Sequence, residues 1–90
     1  MRKTTLGKAI DKAIRIVRDT AIEDRPSLDD WFDVGEVYTV NVSGRDYVED
    51  APADGAWAGV YKYSPKGIGP CVSSAFIMQD GMLYWTPVNQ

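Results

Sequence analysis

Histidine is absent from this 90-residue chain and cysteine occurs once, at Cys71. Without histidine there is no Ser-His-Asp or Cys-His pairing and no imidazole metal ligand. No side chain titrates near neutral pH unaided. A single cysteine excludes an intramolecular disulfide framework and a multi-cysteine zinc site. Long hydrophobic runs are also missing: nothing approaches the roughly 20 apolar residues that span a bilayer. Lys8, Asp11, Lys12 and Arg15 interrupt any apolar stretch that could serve as a secretory signal. These absences point away from an enzyme and predict a cytoplasmic protein with no cofactor and no metal.

What is present is enough for one small domain. Hydrophobic residues make up 44% of the chain and ten residues are aromatic (three Trp, five Tyr, two Phe), which a disordered acidic tail would lack. Charge is sorted in blocks. Residues 1–18 carry six bases against the single acid Asp11, residues 19–54 carry eleven acids against Arg25 and Arg45, and residues 55–90 are nearly neutral, for a net −3. Such asymmetry bears on partners rather than on fold.

Leu6, Ala9, Ile10, Ala13, Ile14, Val17 and Ala21 recur at the i, i+3, i+4, i+7 spacing of an amphipathic helix. Lys8, Asp11, Lys12, Arg15, Arg18 and Asp19 fall on its other face. The spacing predicts a helix over Leu6–Ala21, capped by Thr4 or Thr5 and ended before Pro26. Ser27-Leu28-Asp29-Asp30 has a capping-box pattern, so a helical turn is expected through Trp31-Phe32, stopped by Gly35. Those two rings are expected to plug the space between helix and sheet. The chain thus divides into 1–26 (helix and cap), 27–35 (helical turn) and 36–90 (antiparallel sheet).

The sheet is read from alternation. Residues 36–42 place Tyr38, Val40 and Val42 on one face, and residues 56–63 place Trp57, Tyr61 and Tyr63 on one face with Ala58, Val60 and Lys62 on the other. Ser64–Pro70, with two prolines and two glycines, is expected to be a loop. Asp80-Gly81 between two apolar runs signals a two-residue hairpin. Its register sets Ile77 opposite Tyr84 and Phe76 opposite Trp85, and assigns Val72, Phe76, Met78, Leu83 and Trp85 to the core. Ile77, Met82 and Tyr84 are then an apolar set on the reverse face, the cue for a homodimer or self-associating subunit.

Chemistry-bearing patterns are sparse. The adjacent pairs Glu23-Asp24, Asp29-Asp30 and Glu49-Asp50 match no cation-binding spacing, and neighbours share no face in helix or strand. Gly67-Ile68-Gly69-Pro70 after Lys66 matches no phosphate-binding fingerprint. Cys71 has no base to activate it and reads as a small buried hydrophobe or an inert thiol at a strand start. The basic helix face could meet phosphates, but a pI of about 4.7 argues against direct nucleic-acid binding.

The acidic middle is the sharper clue. Asp46, Glu49, Asp50 and Asp54 are candidate contacts for a partner protein with a basic surface, with Trp57, Tyr61 and Tyr63 as aromatic anchors nearby. The same rings can serve the core, and the core is the weightier assignment. Gly35-Glu36-Val37-Tyr38-Thr39-Val40 is similar to the opening strand of small SH3-like barrels, which implies a partly open barrel with an added helix as the alternative fold. In size, acidity and lack of catalytic residues the chain resembles small virus-encoded inhibitors of host enzymes. That resemblance implies an acidic inhibitor occupying a cationic nucleic-acid groove in the host cytoplasm. The expected fold is α+β, one N-terminal helix on an antiparallel sheet of about four strands. The expected function is non-enzymatic protein binding, with a self-associating assembly subunit as the alternative.

Overall fold

The computed structural model describes residues 4–44 and 54–78 in full and the backbone of residues 83–86. Helix α1 (Thr5–Asp19) begins at Thr4, whose Oγ1 accepts the Gly7 N–H at 3.0 Å. It stops two residues short of Ala21 because Thr20 is already extended. A short 3-10 segment, Ile22–Ser27, follows, and then five strands: β1 (Asp29–Val34), β2 (Tyr38–Ser43), β3 (Ala56–Ser64), β4 (Gly67–Ile77) and β5 (Leu83–Thr86). They form one antiparallel sheet in the order β1-β2-β3-β4-β5, each paired with its sequence neighbours. This is the expected α+β arrangement, with the helix N-terminal to the strands. Among the described residues no helix is long and apolar enough to cross a membrane.

The helix lays Ala9, Ile10, Ala13 and Val17 over Val40 and Val42 of β2, Ala56, Ala58 and Val60 of β3, and Ile77 of β4. Alanine on both sides of the contact lets backbone approach backbone, so valine and isoleucine suffice to fill the layer. Val17, Val40, Val42, Val60 and Ile77 are fully buried. At about 1.5–3 kcal/mol per buried aliphatic side chain, these five together contribute about 8–15 kcal/mol, comparable to the net stability of a small domain.

Four sequence expectations are corrected. Residues 27–35 hold no helical turn through Trp31-Phe32: Asp29–Val34 is β1, in register with β2 from Asp29↔Ser43 to Val34↔Tyr38. Gly35 (φ 60°) and Glu36 (φ 55°) supply the two left-handed positions of a tight turn, closed by Val37 N–H to the Val34 carbonyl at 3.1 Å. The expected plug splits by strand alternation. Phe32 packs against the core and meets the Lys12 ammonium 4.6 Å from its ring centroid, while Trp31 points the other way and is 48% exposed.

Second, the expected loop Ser64–Pro70 is mostly strand. Ser64↔Gly67 closes a hairpin around Pro65-Lys66. Gly69 lets β4 approach β3 where a Cβ would lie 2.4 Å from the Lys62 carbonyl oxygen. Pro70 falls at the register shift between Tyr61 and Tyr63, the kind of bulge where proline costs no ladder bond.

Third, β5 pairs one residue out of the expected register, with Ile77↔Leu83 and Phe76↔Tyr84. The Asp80-Gly81 turn itself lies outside the described residues.

Fourth, the face of β4 is reversed. Ala75 and Ile77 oppose Ala58 and Ala56 beneath the helix, whereas Phe76 opposes Trp57 on the reverse face and Val72 is exposed at a bulge. Ile77 therefore belongs to the core and is not part of a free apolar face, and Met82 lies outside the described residues. The cue for self-association loses Ile77.

Candidate functional site

The reverse face of the sheet, away from the helix, carries Trp31, Trp57, Tyr61 and Phe76. Register and alternation arrange it in three cross-strand rows: Asp29, Ser43, Trp57, Phe76; Trp31, Asn41, Gly59, Ser74; and Asp33, Thr39, Tyr61, Cys71. Gly59 sits near the centre with no side chain; the Tyr61 ring leans over it, and a hollow remains beside the ring. Trp31, Asn41, Ser43, Trp57, Tyr61 and Ser74 surround that hollow, which encloses about 340 Å³.

Its walls are ring pairs. Trp31 and Tyr61 stack with centroids 6.1 Å apart and planes at 28°, and Trp57 meets Phe76 edge to face at 5.4 Å and 73°. The floor is polar, with Asn41 and Ser43 buried beneath the rings. Asn41 Nδ2 donates to Asp29 Oδ1 at 3.3 Å and to the Asp30 carbonyl at 3.1 Å. Thr39 Oγ1 donates to Asp33 Oδ1 at 2.8 Å. Two carboxylates, Asp29 and Asp33, are thereby held on this face on either side of Trp31. Trp57 Nε1 is buried and has no acceptor among the described residues.

Of the residues proposed from sequence, Trp57 and Tyr61 come together here, as half-buried walls of the hollow and not as part of the helix-facing core. Tyr63 lies further along β3, beyond the lining. Asp46, Glu49 and Asp50 fall outside the described residues. Asp54 follows them, and its carbonyl accepts from the Arg25 guanidinium. Asp29, Trp31, Asp33, Asn41 and Gly59 were missed, although Asp29-x-Trp31-x-Asp33 against Asp30-x-Phe32-x-Val34 is a two-residue alternation.

The remaining candidates separate from this site. Cys71 is exposed and not buried, its thiol donating weakly to the Ser73 carbonyl at 3.6 Å. On the helix, Asp11 and Asp19 stand among Lys8, Lys12 and Arg15, so this surface carries both signs of charge. Among the described residues no cluster of three or more His, Cys, Asp or Glu could hold a metal ion.

Compared with protein-family models, curated proteins and solved structures, the chain matches none. Its function has to be argued from this face.

Proposed function

We propose that this chain is a small, acidic, non-enzymatic protein-binding module whose contact surface is the reverse sheet face, and that its partner presents a basic surface. The observation that carries this reading is the placement of Asp29 and Asp33 beside the Trp31–Tyr61 stack and the hollow it borders. Aromatic faces attract a lysine or arginine head by about 0.5–2 kcal/mol, more as the cation is desolvated. Flanking carboxylates add directed, charge-assisted bonds. A hollow of this size accepts one long cationic side chain and excludes a bulky apolar one by its polar floor. The sequence joining β2 to β3 carries Asp46, Glu49, Asp50 and Asp54 against Arg45, charge of the sign that attracts such a partner. A protein groove that otherwise holds nucleic acid has the required chemistry.

The test is a titration followed by the tryptophan indole N–H signals, using a decamer of arginine and a decamer of glutamate as probes. The arginine decamer should shift the Trp31 and Trp57 signals and bind more weakly as salt rises. Gly59→Val should block it: even a Cβ there comes within 2.9 Å of the movable Tyr61 hydroxyl and begins to fill the hollow, leaving the helix-facing core untouched. Equal binding of both decamers, or unchanged arginine binding by folded Gly59→Val, would refute the reading.

A further inference from the structure

β1 is an edge strand, and among the described residues only β2 pairs with it. The direction of its backbone groups follows from one bond. The Leu28 carbonyl accepts the Gly44 N–H at 2.9 Å, in line with the β1–β2 register, so Leu28 faces β2. Antiparallel pairing alternates, so Asp30, Phe32 and Val34 also face β2, and Asp29, Trp31 and Asp33 turn their N–H and C=O groups outward. These are the three residues whose side chains stand on the reverse sheet face. The open hydrogen-bonding edge and the acidic, aromatic face therefore share the same residues.

We infer that β1 binds an extended, cationic segment of the partner as a sixth antiparallel strand, with basic side chains at alternate positions opposite Asp29, Trp31 and Asp33. This rests on the reading of the reverse face as a surface for basic proteins and specifies how it engages them. In such pairing the residue opposite Asp29 or Asp33 has its Cβ about 4.5–5.5 Å from the aspartate Cβ. Lysine or arginine there meets a carboxylate, and the one opposite Trp31 reaches over the indole toward the hollow. The alternate partner residues fall on the helix side beside half-buried Phe32 and Val34, where apolar side chains fit.

A second copy of the chain does not fit this edge. Antiparallel self-pairing centred on Trp31 sets the outward-facing residues against one another and places Asp29 opposite Asp33 twice, and like charges directly opposite destabilise a ladder. The same two aspartates that deter self-pairing select a basic strand. The edge carries no proline or bulge to deter a partner of the right charge.

The test uses a nine-residue peptide alternating lysine and valine in two backbone-methylated forms of equal charge. One form carries N-methyl groups on the lysine amides, which would point at β1, and the other on the valine amides, which would point away. The unmodified and valine-methylated peptides should bind within threefold of each other, and the lysine-methylated form at least tenfold more weakly. Amide exchange at Asp29, Trp31 and Asp33 should slow in the complex. Equal binding of the two methylated forms, or no slowing at those amides, overturns strand addition. If the alternating peptide fails while the arginine decamer still binds, strand addition falls and the basic-partner reading stands. If neither binds, both fall.

Discussion

Replacing Arg25 by methionine removes a buried cation while keeping most of the stem volume. Arg25 is 3% exposed within the 3-10 segment. Its Nε donates to the Thr20 carbonyl at 3.0 Å, and a terminal nitrogen donates to the Asp54 carbonyl. The guanidinium thus ties the end of α1 to the start of β3 across 29 residues of chain. A hydrogen bond to a charged group contributes about 1.5–3 kcal/mol, so two give about 3–6 kcal/mol, from which the relief of desolvating the cation must be subtracted. A net loss of about 3 kcal/mol is expected, against a total of about 5–13 kcal/mol for a chain of this length. Thermal unfolding should fall by about 12–24 °C, at roughly 4–8 °C per kcal/mol for a domain of this size. Urea titration followed by tryptophan fluorescence should show the midpoint falling with an unchanged slope. Arg25→Lys should recover only part of the loss, because one ammonium cannot reproduce the planar fork that reaches both carbonyls. Since both described acceptors are neutral, the loss should persist in high salt. A loss under about 1 kcal/mol for methionine, the range of a surface change, would refute the reasoning.

Glu36→Gly should raise stability by about 1 kcal/mol in the same urea titration, because φ 55° strains a residue bearing a Cβ. Lys12→Glu with Arg15→Glu should lower stability by about 1 kcal/mol, mostly through the lost Lys12–Phe32 contact. The parent protein should show no nucleic-acid binding at physiological salt in a filter or anisotropy assay, and micromolar binding there would contradict this. Cys71 should react with a thiol reagent in the folded state at the rate of an exposed, unactivated cysteine, and protection until unfolding would place it elsewhere.

The helix was legible because its signal is local and redundant: six apolar positions from Leu6 to Val17 agree on one arc, and Thr4 caps it as its chemistry predicts. Alternation likewise grouped Val40 with Val42, and Ala58 with Val60, on single faces, since a two-residue period needs no knowledge of the partner strand, but on β3 it favoured the Trp57–Tyr61 face for the core where the structure buries Ala58 and Val60. Asp29–Val34 failed because a capping-box pattern and a strand alternation coincide in the same six residues, and local chemistry cannot rank them. Pairing with β2 can, since six cross-strand partners outweigh one helical turn that would have nothing to propagate it.

The face assignments on β4 show where sequence stops. Alternation separates Phe76 from Ala75 and Ile77 but does not say which set meets the helix. The bulk of Phe76 suggested the core. The close approach of an alanine-bearing helix decided for Ala75 and Ile77, because little room for a ring remains between Ala9, Ala13 and Ala58. Trp31, Trp57, Tyr61 and Phe76 were then left to pack on one another across the reverse face, and the hollow beside Gly59 lies among them. By itself the sequence determined the helix and its stripe, the alternation of β2 and β3, the charge blocks and the absence of histidine, since each depends on residues near one another in the chain or on composition alone. The site was decided by tertiary structure: Asp29, Trp31, Gly59 and Tyr61 become neighbours only through strand register, a long-range property set by how well two distant segments bury each other.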